Sequence, residues 1–164
     1  MKILICGLPG SGKTWLAERL VKHLKNCAWY NADQLRKYSN DWDFSQEGRI
    51  RQANRMRTFA DFERKNGRWV ICDFVAPTEK SRKTFNPDYL IWLDTIDQGR
   101  VVSSKINELN NIKNLPFDVN LLSKSKKFED TSKMFEQPKK VDERITSFLD
   151  EKQIKLLSEK IKNV

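Results

Sequence analysis

Eight consecutive residues carry the plainest chemistry in this chain: Gly7-Leu8-Pro9-Gly10-Ser11-Gly12-Lys13-Thr14. They fit the pattern G-x-x-x-x-G-K-[S/T] at every fixed position. Glycines at those places let the backbone curl and come close to oxygen atoms. The concave row of N–H groups that results is an anion nest. A helix beginning near Lys13 aims its positive end at the same place. In such a loop the lysine, Lys13, reaches the β- and γ-phosphates of a nucleoside triphosphate, and the hydroxyl of Thr14 ligates magnesium. The expected ligands are therefore ATP and Mg2+, held by Gly7, Leu8, Pro9, Gly10, Ser11, Gly12, Lys13 and Thr14.

Phosphoryl chemistry also needs a carboxylate, either to position the metal or to take a proton from the acceptor. Asp33, Asp73 and Asp94 each stand at or just beyond the end of an apolar run. A helix cap or a turn is the competing role for each of them.

These groups have to be carried by a scaffold. Residues 2–6 are a short, nearly continuous apolar run, as expected of a strand covered on both faces. After the loop, Leu16, Leu20, Val21 and Leu24 recur at helical spacing and predict a helix over roughly 13–25. Residues 27–31, 69–74 and 89–93 read as further strands. Between them, 45–66 reads as a long Arg-rich helix with Ser45 as its cap and Gly67 as its stop. A short helix follows Pro77, over 78–84. Residues 141–148 predict a fifth strand and 149–162 an amphipathic last helix. Strands alternating with helices predict an α/β fold: three α/β/α layers around a central parallel sheet, the P-loop NTPase kinase fold. The loops after the strands then share one edge, where ligands bind. The length of 164 residues suits a single domain spanning 1–164.

With these residues in view, the chain resembles the adenylylsulfate kinase family. That family's Asp-Gly-Asp-Asn-x-Arg segment appears here as Asn31-Ala32-Asp33-Gln34-Leu35-Arg36. Its Asn-x-Asp-x-Gly-Phe-Ser, followed by an Arg, is matched by Asn40-Asp41-Trp42-Asp43-Phe44-Ser45 and Arg49. Its Phe-Ile-Ser-Pro-Tyr is matched by Phe74-Val75-Ala76-Pro77-Thr78, and two late elements by Phe128-Glu129-Asp130 and Phe135-Glu136-Gln137-Pro138. The resemblance implies transfer of the γ-phosphoryl group of ATP to the ribose 3′-hydroxyl of adenylyl sulfate. It implies Asp33 as the base or magnesium-organising carboxylate beside Lys13 and Thr14. Arg36 and Arg49 would hold the phosphosulfate, Phe44 and Phe128 would sandwich the adenine, and Gln52, Phe74, Val75 and Ala76 would complete the acceptor site. For Arg36 and Arg49 a solvated helix position is the competing reading, and for Phe44 and Phe128 a place in the core. The family often forms homodimers, which the resemblance extends to this chain.

The departures are specific. Asn31 replaces the first Asp of the family's pair, Gln52 an Asn, and Ala76 a Ser. The family's Lys-Gly-Leu-Tyr-Lys-Lys-Ala-Arg lid has no counterpart in 95–127. Residues 98–127 carry their own cations, Arg100, Lys105, Lys113, Lys124, Lys126 and Lys127, and are expected to form a divergent lid, with an inserted surface segment of no catalytic part as the competing reading.

Composition narrows the field. The 31 Lys and Arg against 22 Asp and Glu give +9, which favours anionic ligands. Cys6, Cys27 and Cys72, an odd number in apolar segments, suit buried thiols in a reducing compartment rather than a disulfide framework. The one histidine, His23, leaves no material for a catalytic triad or a histidine metal site. No apolar run reaches the ~20 residues of a membrane span, and the first residues lack signal-peptide character, so a cytoplasmic protein without membrane partners is expected. The expected partner is a small nucleotide. Two other readings share the motif: a kinase acting on a hydroxymethylated base or a polynucleotide end, hence a nucleic acid, and a nucleotide-dependent switch.

Overall fold

The computed structural model describes residues 1–97 and 131–164. The strands are β1 (Lys2–Gly7), β2 (Cys27–Asn31), β3 (Trp69–Asp73), β4 (Tyr89–Leu93) and β5 (Glu143–Ile145). The helices are α1 (Lys13–Leu20), α2 (Ala32–Tyr38), α3 (Gln46–Lys65), α4 (Glu79–Phe85), α5 (Thr131–Met134) and α6 (Glu151–Lys162). The strands form one sheet in the order β2-β3-β1-β4-β5, with every pairing parallel. This is the expected α/β architecture. The strand that carries the phosphate loop lies at its centre.

The continuous apolar run of β1 is explained by what covers it. Alternate residues of a strand point to opposite faces. Ile3 and Ile5 pack with Leu16, Ala17 and Leu20 of α1 and Ile154, Leu157 and Ile161 of α6. Leu4 and Cys6 pack the other way, with Ala53, Met56 and Ala60 of α3 and Phe85 of α4. Both faces are dry, which keeps residues 3–6 apolar, and the strand's one charged residue, Lys2, is buried with its Nζ donating to Asp61 Oδ1 at 2.8 Å. Cys6 and Cys72 are buried and Cys27 is half-buried, all as free thiols. Burial pushes the Cys6 thiol up to about 12.

Helix ends follow local chemistry. Ser45 Oγ accepts from Gly48 N at 3.1 Å to open α3, and Gly67 follows its last turn with φ +71°. Thr78 and Ser81 form a capping box on α4, as Asp150 and Gln153 do on α6. Three boundaries differ from expectation. The first helix stops at Leu20 and closes with a 3-10 turn over Val21–His23. The fifth strand is only three residues long. A helix that sequence reading missed, α2, springs directly from β2, its N-terminus capped by Asn31 Oδ1 accepting from Gln34 N at 3.0 Å. Seven residues are too few to show a helical period, and the asparagine cap was its one local signal. The expected lid over 98–127, and Phe128, lie outside the described residues. Among the described residues no helix is long and apolar enough to cross a membrane.

Candidate active site

The loop leaves β1 at Gly7, which has φ +151°; a Cβ there would stand 2.5 Å from the carbonyl oxygen of Leu93 on β4. Only glycine lets the chain turn this close to the neighbouring strand. The loop is tied to its surroundings by Gly7 N donating to Val75 O, Ser11 N to Leu8 O at 3.1 Å, and Thr95 Oγ1 to Ser11 O at 2.8 Å. Gly12 caps α1 in the left-handed region, φ 95°, with no side-chain cap and no acidic residue in the first turn. The first N–H groups of α1 thus have no partner inside the helix and none from a cap, and the helix's positive end stays open to an anion. Ser11 Oγ is buried without a hydrogen-bond partner among the described residues.

Lys13 is half-buried, and its Nζ donates to Leu8 O at 2.8 Å across the loop. Burial pushes its amine down to about 8, against the pull of Asp73 first and Asp33 next. Thr14 Oγ1 donates to Asp73 Oδ2 at 2.8 Å. The same Oδ2 accepts from Asn31 Nδ2 at 2.9 Å, and Oδ1 accepts from Trp29 Nε1 at 2.7 Å. Burial pushes the Asp73 carboxyl up, while these three donors pull it back. Asn31 and Asp73 are register partners on β2 and β3, which is why they meet.

The carboxylate that meets the Thr14 hydroxyl is not the one favoured from the sequence. Asp73, not Asp33, is hydrogen-bonded to Thr14. Asp33 sits exposed on the first turn of α2, near enough for its charge to act on Lys13. The third candidate, Asp94, is engaged by Arg144. The strand-end aspartates were visible in the sequence, but choosing among them required the strand order. Trp29 gave no signal at all.

The expected acceptor residues divide into two groups. Arg36 is buried, not solvated. Its Nη1 donates to Asp41 O at 2.8 Å and Asp43 O at 3.0 Å, and its guanidinium lies 4.5 Å from the Phe44 ring centre. Arg49 Nε donates to Phe44 O at 2.9 Å, with its guanidinium 5.7 Å from the same ring. Phe44, half-buried and 6.5 Å from the Trp42 ring, is thus set among two cations. Below this loop Asp41 accepts from Arg51 and Arg55, which hold its carboxyl well under the usual range. Val75 is half-buried, and Ala76 turns through φ +43° with its carbonyl accepting from Arg82 at 2.8 Å. Gln52 and Phe74 fall in the second group. The Gln52 amide is buried and donates to Ala32 O at 3.1 Å, while Phe74 packs edge-on against Phe85 at 5.5 Å. Gln52 is held by polar partners, and Phe74 belongs to the core on the α3 side of the sheet.

The donor set suits magnesium. Among the described residues no three His, Cys, Asp or Glu side chains converge to cage a metal. A hard cation that keeps its waters needs only one hydroxyl, a nearby carboxylate and substrate phosphates, a share of ligands that Thr14 and Asp73 would fit.

Known proteins resemble the chain in sequence and in fold. The sequence profile of the AAA domain matches residues 3–101. A probable adenylyl-sulfate kinase of Aeropyrum pernix is 35% identical over 89 residues, 49% of this chain and 46% of that protein. A cytidine diphosphoramidate kinase of Campylobacter jejuni is 29% identical over 100 residues, 56% of this chain and 59% of that protein. The chain spans about half the length of the curated relatives it matches. The adenylylsulfate kinase of Mycobacterium tuberculosis, solved in complex with AMPPNP and APS, superposes with a TM-score of 0.66 at 18% identity, covering 99% of this chain and 95% of that one. The phosphate loop, the parallel sheet built around it and the matched profile lead to one assignment: the chain belongs to the AAA domain family and has the fold of an adenylylsulfate kinase-like P-loop kinase.

Proposed function

We propose that the protein is an ATP-dependent kinase that moves the γ-phosphoryl group to a hydroxyl, with the ribose 3′-hydroxyl of adenylyl sulfate as the acceptor. The observation that carries this reading is the convergence of Lys13, Thr14 and Asp73 at the open end of α1, with the charge of Asp33 acting on Lys13 from the first turn of α2. Backbone amides and Lys13 hold the β- and γ-phosphates. Thr14 and Asp73 would hold Mg2+, which when bound would offset the charge that develops on the transferring group. The acceptor oxygen forms a bond to the γ-phosphorus as the bridge to the β-phosphate breaks, ADP leaves, and the hydroxyl proton passes to Asp33. Arg36, Arg49 and Phe44 line the acceptor side, two cations beside one ring, which suits a base carrying an anionic tail. The Campylobacter relative's substrate is also a nucleotide with an altered phosphate end, so the acceptor wall is read here as a nucleotide wall.

The test offers γ-labelled ATP and Mg2+ with adenylyl sulfate, with cytidine diphosphoramidate, or with hydroxymethyl-base DNA. Label on adenylyl sulfate is expected. Label on another acceptor alone rejects the substrate, and label on none, with ATP still bound, rejects the kinase. Asp33→Asn is expected to spare ATP binding and cut turnover at least about a hundredfold, the usual scale of a lost general base.

A further inference from the structure

The metal-side carboxylate of the proposed reaction has an unequal set of partners. Oδ2 of Asp73 is shared by Thr14 Oγ1 and Asn31 Nδ2 at 2.8 and 2.9 Å, both from groups on the phosphate side. Oδ1 accepts the indole N–H of Trp29 at 2.7 Å. Trp29 lies within β2, register partner of Ile71 on β3, and its half-buried ring packs against the core shared by α1 and α6. An indole has one donor and no acceptor, so it can serve a carboxylate in only one sense. The Thr14 hydroxyl is a single-bond rotor that can turn to another partner, whereas the Trp29 indole, packed against the core, offers its one N–H in one direction only.

We propose that Trp29 is a positioning residue of the magnesium site: its indole N–H pins Oδ1 of Asp73, which keeps Oδ2 turned toward Thr14 and the cation. The inference rests on the kinase reading and extends it to a residue that touches neither nucleotide nor metal. Groups that orient a ligand set in this way change metal affinity about 10- to 100-fold when removed. Packing alone predicts no such change, because phenylalanine fills most of the same space.

The experiment compares wild type with Trp29→Phe. Mn2+ is titrated against protein holding a non-hydrolysable ATP analogue, with free Mn2+ read by electron paramagnetic resonance. The variant is expected to bind Mn2+ about tenfold more weakly, while its affinity for the analogue in EDTA stays within about twofold. A folded variant with wild-type Mn2+ affinity overturns the assignment and leaves the kinase reading standing. A wild-type protein that fails to take up Mn2+ with the analogue removes both. If Trp29→Phe does not fold, the 15N-labelled wild type decides. Trp→Phe changes at 15, 42, 69 and 92 assign the Trp29 indole signal by elimination. That N–H should be protected from exchange and shift when Mg2+ joins the nucleotide complex; a freely exchanging, unmoved signal overturns the proposal.

Discussion

Lys13 offers the sharpest handle on the site, because its charge is both needed for phosphate and disfavoured by its surroundings. With the amine at about 8 in the ligand-free fold, the protonated fraction falls from about nine-tenths at pH 7 to about one-tenth at pH 9. Phosphate binds the protonated form, so affinity is full below pH 8 and declines as pH rises through it. Between pH 7 and 9 the dissociation constant for a non-hydrolysable ATP analogue should rise about tenfold, or about 1.4 kcal/mol. Titration calorimetry in EDTA across that window measures it. Lys13→Arg keeps the charge throughout and should give a flat profile, which also removes any contribution from the nucleotide's own ionisation. A flat wild-type profile, or an equal slope in Lys13→Arg, would refute the reasoning. The same depressed amine acts on stability in the absence of ligand. The unfolded chain holds this proton up to about 10.5 and the folded one only to about 8, so the cost of the buried charge is fully present below pH 8 and fades as pH climbs between the two values. Because Lys13 is only half-buried, replacing it with methionine should raise ligand-free stability at pH 7 by about 1–2 kcal/mol, less than the full shift would give.

Gly12→Ala should strain a backbone at φ +95° and drive a Cβ to 2.9 Å from the Phe148 ring, lowering the melting temperature and abolishing nucleotide binding by calorimetry. Adding Phe148→Ala should recover part of the stability, because the clash is relieved while the strained φ persists. Met56→Ala, a fully buried side chain between α3 and the sheet, should cost about 2–5 kcal/mol in urea unfolding without changing the pH profile of nucleotide affinity.

The fold was largely legible because its strands are buried on both faces and its helices carry local stops. The uninterrupted apolar letters of residues 3–6 and 89–93 announce strands between two helical layers, and Ser45, Gly67 and Pro77 punctuate what lies between. The phosphate loop was legible for another reason: its task is performed by backbone, which only glycine permits at Gly7 and Gly12. The carboxylate beside Thr14 was not, because Asn31 and Asp73 are neighbours only once β2 and β3 pair, 42 residues apart along the chain. The burial of Gln52 and Phe74 was not legible either, because motif matching fixes a position along the chain but not the direction of a side chain. Arg36 shows the reverse: a charge that reads as solvent-facing is buried because two backbone carbonyls and an aromatic ring solvate it in place of water.

The two-sided packing of β1 phases the phosphate grip to the sheet. Ile3 and Ile5 answer to one layer, Leu4 and Cys6 to the other, and Gly7 follows at the one step where the chain can slip past Leu93. Gaining or losing a single residue upstream of that glycine would turn every side chain of the strand to the wrong layer and carry the nest about 3.3 Å along the strand axis. The central strand therefore works as a ruler of set length, and drift in this lineage has to be absorbed elsewhere, where no ladder keeps count.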